Sequence, residues 1–152
     1  MHAPLSARPP GLMGVEVSAE HGGAGLSFTE SCIVIHELAK VDPAISVIVD
    51  IQNTLIVTAF KKFASPALQN VYLPKLATTT LGSFCLSEAG SGSDAFALQT
   101  RARFDKASNT YSLSGSKMWI SNAKEAGVFV VFATIDPALG YKGITAFVID
   151  KV

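Results

Sequence analysis

The hydrophobic pattern of this chain changes period at Thr78-Thr79-Thr80, and that change constrains its fold more than any single motif. Before it, apolar residues recur at helical spacing; after it they alternate or run continuously, as strands do. Ser27-Phe-Thr-Glu30 reads as a capping box, in which the hydroxyl accepts from the Glu30 N–H and the carboxylate reaches back. It opens a helix carried by Ile33, Val34 and Leu38 to about Lys40. Asp42-Pro43 joins an N-cap to a proline at the first helical position and predicts a second helix through about Phe63. Its apolar residues, from Ile45 and Val49 to Ile56 and Phe60, cover much of the circumference and predict a well-buried element. Ser65-Pro66 repeats the start signal for a third helix, Ala67 to about Leu76. Strands are predicted at about 81–86, 97–104, 110–113, 127–134 and 144–149, with the polar turn 105–109 closing a hairpin. The apolar run 128–134 reads as a strand covered on both faces. Helices followed by strands indicate an α+β arrangement, or two partial domains meeting near residue 80.

Composition narrows the function. The chain has 152 residues, 49% of them apolar, and a formal net charge of zero, so a buried core is expected. A neutral balance offers no electrostatic case for nucleic acid or an anionic membrane surface. The apolar runs read as too short and too interrupted to span a bilayer. Cys32 and Cys85 each sit in an apolar segment, far apart, and are expected as buried free thiols. His2, His21 and His36 show no metal-ligand spacing, so no metal is expected. The first ten residues lack both acidic groups and the hydrophobic stretch of a secretory signal.

Two segments carry the chemistry. Residues 84–94 read Phe-Cys-Leu-Ser-Glu-Ala-Gly-Ser-Gly-Ser-Asp, an apolar run ending in a loop of small residues whose N–H groups can approach a phosphate. Residues 115–122 read Gly-Ser-Lys-Met-Trp-Ile-Ser-Asn and set the single tryptophan, Trp119, two positions before the Ser121 hydroxyl. A flat apolar ring beside a short hydroxyl suits a large, planar, polar-edged cofactor such as a flavin. Gly90, Gly92 and Ala95 also fit the dinucleotide fingerprint G-x-G-x-x-G/A. That fingerprint needs a helix next, whereas Phe96 to Arg103 alternate with a period of two. Gly22-Gly-Ala-Gly25 has no lysine at P-loop spacing and reads as turn residues ahead of a helix.

At these residues the chain resembles the acyl-CoA dehydrogenase family, most closely its short/branched-chain members. Glu20-His-Gly-Gly-Ala-Gly25 is similar to a glycine-rich turn of the family's N-terminal helical domain. Residues 84–94 resemble its first flavin segment, Lys117-Met-Trp-Ile-Ser121 its second, and 140–150 a later strand. The resemblance implies part of an all-helical N-terminal domain over 1–80 and a central antiparallel β domain over 81–152. It places the C-terminal helical domain, with the catalytic glutamate, outside this chain. It further implies FAD as cofactor, an acyl-CoA substrate desaturated between Cα and Cβ, electron-transfer flavoprotein as acceptor, a homotetramer, and the mitochondrial matrix.

Carried over by position, Phe84, Cys85, Leu86, Ser87, Glu88, Ala89, Gly90, Ser91, Gly92 and Ser93 would form the first flavin contact, and Trp119, Ile120 and Ser121 the second. Ser93 and Tyr141 would meet acyl-CoA; no residue here would be catalytic. Glu88 and Asp94 read as acceptors that fix the loop. Each assignment has a plainer rival: a lone tryptophan usually anchors a core, and serines in such loops are usually turn hydroxyls. Two other functions stay open, a non-catalytic FAD- or acyl-CoA-binding module and an acyl-CoA oxidase.

Overall fold

The computed structural model describes residues 11–151; the N-terminal segment 1–10, with His2, and Val152 lie outside the described residues. A short 3-10 turn, Ala19–His21, ends at Gly22, whose φ of 79° is the left-handed conformation that glycine adopts without strain. The glycine-rich stretch is therefore turn, as expected. Helix α1 (Phe28–Ala39) starts at the capping box, with both reciprocal hydrogen bonds formed. Asp42 caps α2 (Pro43–Asp50) by accepting from the Ala44 and Ile45 N–H groups. A π-helical segment, Ile51–Val57, carries the same axis into α3 (Thr58–Phe63). Ser65 caps α4 (Pro66–Thr78), which runs on past Pro74 to the threonines.

The predicted well-buried second helix is buried on one stripe only. Ser46, Val49, Asn53, Ile56, Val57 and Phe60 face inward, whereas Ile45, Val47, Leu55 and Phe63 are exposed. The expectation that no segment could span a bilayer also needs correction. Pro43–Phe63 is one continuous helix of 21 residues with mean hydropathy 1.5, enough by length and composition. Polar residues such as Gln52 and Asn53 interrupt the run in sequence but not the helix. Its inner stripe packs as a core helix packs, joining Val17, Tyr72, Leu73 and Leu76 with Val128 and Val130 of the sheet.

Five strands form one sheet: β1 (Gly82–Cys85), β2 (Arg101–Asp105), β3 (Thr110–Ser114), β4 (Val128–Thr134) and β5 (Ile144–Asp150). β5 runs antiparallel along all of β4, from Val128↔Asp150 to Thr134↔Ile144. β1 lies parallel to the first part of β4, from Gly82↔Val128 to Cys85↔Val131. β2 meets the end of β4 in parallel at Arg101↔Thr134, and pairs with β3 as the expected hairpin. The sheet is therefore mixed, not antiparallel. A period of two reports that a segment is a strand but not which way its neighbour runs.

Two more expectations change. The strand predicted over 97–104 starts only at Arg101, because Ala95–Ala97 is a 3-10 turn capped by the Asp94 carboxylate. Both cysteines are free, but only Cys85 is buried; Cys32 sits on the open face of α1.

Candidate functional site

The two segments singled out in the sequence lie side by side. The second descends along β1 and the loop that follows it, joined at four heights. Lys117 Nζ donates to the Leu86 carbonyl at 3.1 Å, and the Met118 N–H donates to the Ser87 carbonyl at 2.9 Å. Farther down, the Ser83 hydroxyl donates to the Ser121 carbonyl at 2.8 Å and the Asn122 amide reaches the Gly82 carbonyl at 3.4 Å. Phe84 to Glu88 and Lys117 to Ser121 thus share one border.

Beyond that border the first segment folds into a tight turn. Glu88 and Ser91 exchange backbone hydrogen bonds of 2.9 and 3.1 Å, and the buried Ser91 hydroxyl donates to the Asp94 carbonyl. Ala89, Gly90, Gly92 and Ser93 stand at the surface. A Cβ added to Gly90 or Gly92 would meet nothing within 4 Å, so the face is open to a bulky group. Among the described residues, the N–H groups of Gly92 and Ser93 have no acceptor. Open backbone donors on a loop of small residues fit an anionic diphosphate.

Glu88 is the hinge of this turn. Its carboxylate accepts from the Gln99 N–H at 2.7 Å, the Thr100 N–H at 3.0 Å, the Thr100 hydroxyl at 2.5 Å and Lys117 Nζ at 2.7 Å. Burial alone would push the acid up. The lysine, the hydroxyl and the two backbone donors outweigh it and hold Glu88 at about 2. Gly115 backs this cluster: a Cβ there would lie 2.7 Å from the Thr100 Cα. Burial pushes the neighbouring Cys85 thiol up, with Lys117 the smaller, opposing influence. Cys85 is therefore a packed thiol rather than a nucleophile.

The tryptophan is no core anchor. Trp119 is 87% exposed and holds a left-handed backbone with φ of 59°, in a loop rather than a strand. Leu86, Ser87 and Ile120 are half-buried beside it, and Ser121 is exposed. Phe84 turns the other way, its ring 4.9 Å from Phe132 on the helix-facing side of the sheet. An apolar cavity of about 380 Å³ opens there, between Phe60, Phe63 and Leu68 of the helices and Phe84, Val130 and Phe132 of the strands. An exposed indole on one segment and open N–H donors on the other fit a flavin nucleotide, whose ring is flat and whose tail is anionic. Among the described residues no three His, Cys, Asp or Glu side chains gather as a metal site.

Tyr141 comes from a separate element, the 3-10 stretch Pro137–Gly143, just after the kink at Gly140. Its exposed ring meets Phe96, two residues beyond Asp94, with centroids 5.5 Å apart. Phe96 thereby connects the loop of Ser93 to Tyr141. Sequence reasoning passed over both Phe96 and the role of Lys117. Neither has a local signature, since each meets its partner only through the tertiary fold.

Comparisons with known proteins place the chain as a whole. The acyl-CoA dehydrogenase N-terminal domain matches residues 6–80, and the acyl-CoA dehydrogenase middle domain matches residues 83–152. A probable short/branched chain specific acyl-CoA dehydrogenase of Dictyostelium discoideum is 58% identical over 92% of the chain. The mitochondrial short/branched chain specific enzyme of Rattus norvegicus is 56% identical over 93%. The chain spans only about a third of these relatives, 34% and 32% of their lengths. Butyryl-CoA dehydrogenase from Megasphaera elsdenii superposes with a TM-score of 0.89 at 32% identity, over 97% of this chain and 38% of that one. With two family domains covering nearly all its residues in order, the chain belongs to the acyl-CoA dehydrogenase family.

Proposed function

We propose that this chain is the flavin-facing part of an FAD-dependent acyl-CoA dehydrogenase acting on short or branched acyl-CoA thioesters. The observation that carries the reading is the shared border of segments 84–94 and 115–122, with an exposed tryptophan along it and open N–H donors on the loop beyond it. In this reading Gly92 and Ser93 hold the diphosphate of FAD through backbone N–H and hydroxyl groups. Leu86, Ser87, Trp119, Ile120 and Ser121 border its ring, while Phe84, Cys85, Glu88, Ala89, Gly90 and Ser91 shape the ground they stand on. Ser93 and Tyr141 contact the acyl-CoA. Bound FAD supplies a two-electron acceptor.

Within this chain the work is binding and orientation. Hydroxyl and N–H donors fix the cofactor tail, and the exposed indole shields one side of the ring from water. No residue among those described is assigned as the base that removes the α-proton; that role belongs to a glutamate in the remainder of the protein. Electron-transfer flavoprotein as acceptor, a homotetramer, the mitochondrial matrix and a domain division near residue 80 follow from the same reading, by likeness to the relatives.

The test is to express the full-length protein carrying this chain and to measure α,β-desaturation of short straight and branched acyl-CoA thioesters. Electron-transfer flavoprotein and molecular oxygen are offered in turn as acceptors. Desaturation coupled to the flavoprotein supports the proposal. Hydrogen peroxide release with oxygen would make the protein an oxidase, and FAD binding without turnover would leave a binding module.

A further inference from the structure

We propose that the Lys117–Glu88 ion pair is a positioning device that locks segments 84–94 and 115–122 into one register, so that FAD meets a single prearranged surface. The proposal rests on the flavin reading above and goes beyond it, because neither residue is there given a contact with ring or substrate through its charge.

The two segments expose what a cofactor would touch and bury what holds them. Trp119 is 87% exposed, and Gly90 and Gly92 have open space around them, so no side-chain contact of their own sets their mutual distance. Beneath them, the Lys117 and Glu88 side chains are only 11% and 8% exposed. Lys117 belongs to the second segment, yet its ammonium is spent on the first, on the Leu86 carbonyl and the Glu88 carboxylate. Glu88 is in turn held from a third direction, by Gln99 and Thr100 at the approach to β2. Its position is therefore fixed independently of the lysine, which makes it an anchor rather than a floating counter-ion.

A buried ion pair adds little net stability over an apolar pair of the same shape, because both charges lose their water. What it adds is direction. The ammonium, held by two acceptors on the first segment, tethers the backbone that carries it within reach of the Met118 N–H bond to the Ser87 carbonyl, which sets the register. The backbone so placed includes Met118, whose N–H bonds to Ser87, and Trp119, whose positive φ turns the indole outward.

The experiment compares wild type, Lys117→Met, Glu88→Gln and the double variant in the full-length protein. Amide hydrogen exchange is measured without cofactor, and FAD affinity is measured by titration with FAD alone. In Lys117→Met, exchange across 87–93 and 118–121 is expected to rise roughly tenfold or more, while amides of the helical core keep their protection. FAD affinity is expected to fall by a similar factor. The double variant has no stranded charge but sets one amide nitrogen against the Gln99 or Thr100 N–H, so it is expected to regain part of the thermal midpoint without recovering FAD affinity. It also serves if Lys117→Met alone fails to fold. Unchanged exchange in both segments would overturn the proposal. So would an FAD affinity that recovers in step with the thermal midpoint, since the pair would then be structural only. If wild type binds no FAD while the exchange pattern is as expected, the flavin reading fails and takes the cofactor role of the pair with it.

Discussion

Glu88 is a buried carboxylate that stays ionised, and its behaviour in acid follows from that. Its folded-state value of about 2 lies below the ordinary 4.5, so the folded protein holds fewer protons there than the unfolded chain. The stability it contributes is complete above about pH 4.5 and is lost as pH falls through about 2. Thermal unfolding of wild type and Glu88→Gln should therefore differ most above pH 4.5 and converge as pH falls toward 2. A gap that stays constant across this window would contradict the assignment. Much at this scale was legible in the sequence. The small residues at 89–93 and the flat ring at 119 stood out as site candidates through the family resemblance, since taken alone such residues more often form turns and core anchors. The lysine that Glu88 anchors was not legible, because their 2.7 Å contact joins chemically ordinary residues far apart in sequence. Nor was the outward turn of Trp119 legible, since tryptophan so seldom takes a positive φ that sequence alone argues against it.

The helices announced themselves where their stabilising contacts are local. Ser27, Asp42 and Ser65 each cap the helix that follows through their own side chains, and all three start signals were readable, the third helix beginning at Pro66, one residue before the expected Ala67. Replacing Ser27 with alanine removes the hydroxyl half of the capping box, and the thermal midpoint should drop by about 2–4 °C. Circular dichroism melting measures it, and no change would mean that Glu30 holds the helix start alone. Strand direction and the π-helical turn were not readable, because both depend on distant partners. Gln52, within that turn, illustrates why. Its amide donates to the Leu76 carbonyl at 2.7 Å and the Thr80 carbonyl at 3.1 Å, and its oxygen accepts from the Gly82 N–H at 2.9 Å. One fully buried side chain thus fastens the π turn, the end of α4 and the start of β1. Gln52→Leu keeps the bulk but strands the Gly82 N–H, at a cost of about 1–3 kcal/mol. Denaturant titration reads that loss, and a neutral result would show that the strand finds another acceptor.

Helices and sheet share one core cluster, in which Ile56 and Phe60 join Val128 and Val130. The molecule's surface is less settled than its core. Phe63 is 84% exposed at the rim of the apolar cavity beside Phe84 and Phe132, and such a rim favours association of the 152-residue chain when expressed alone. Phe63→Ser should raise its solubility limit without lowering the melting midpoint, as light scattering at increasing concentration would show. The parallel pairing of β1 with β4 has a consequence in time. A ribosome releases residues 82–85 long before residues 128–131, their partners, exist. Through that interval the β2–β3 hairpin can close on itself, while the strand that leads to the glycine-rich turn waits unpaired. The surface that would receive the cofactor is thus among the last parts of this chain to take shape, and an interruption of synthesis before residue 128 leaves it unmade.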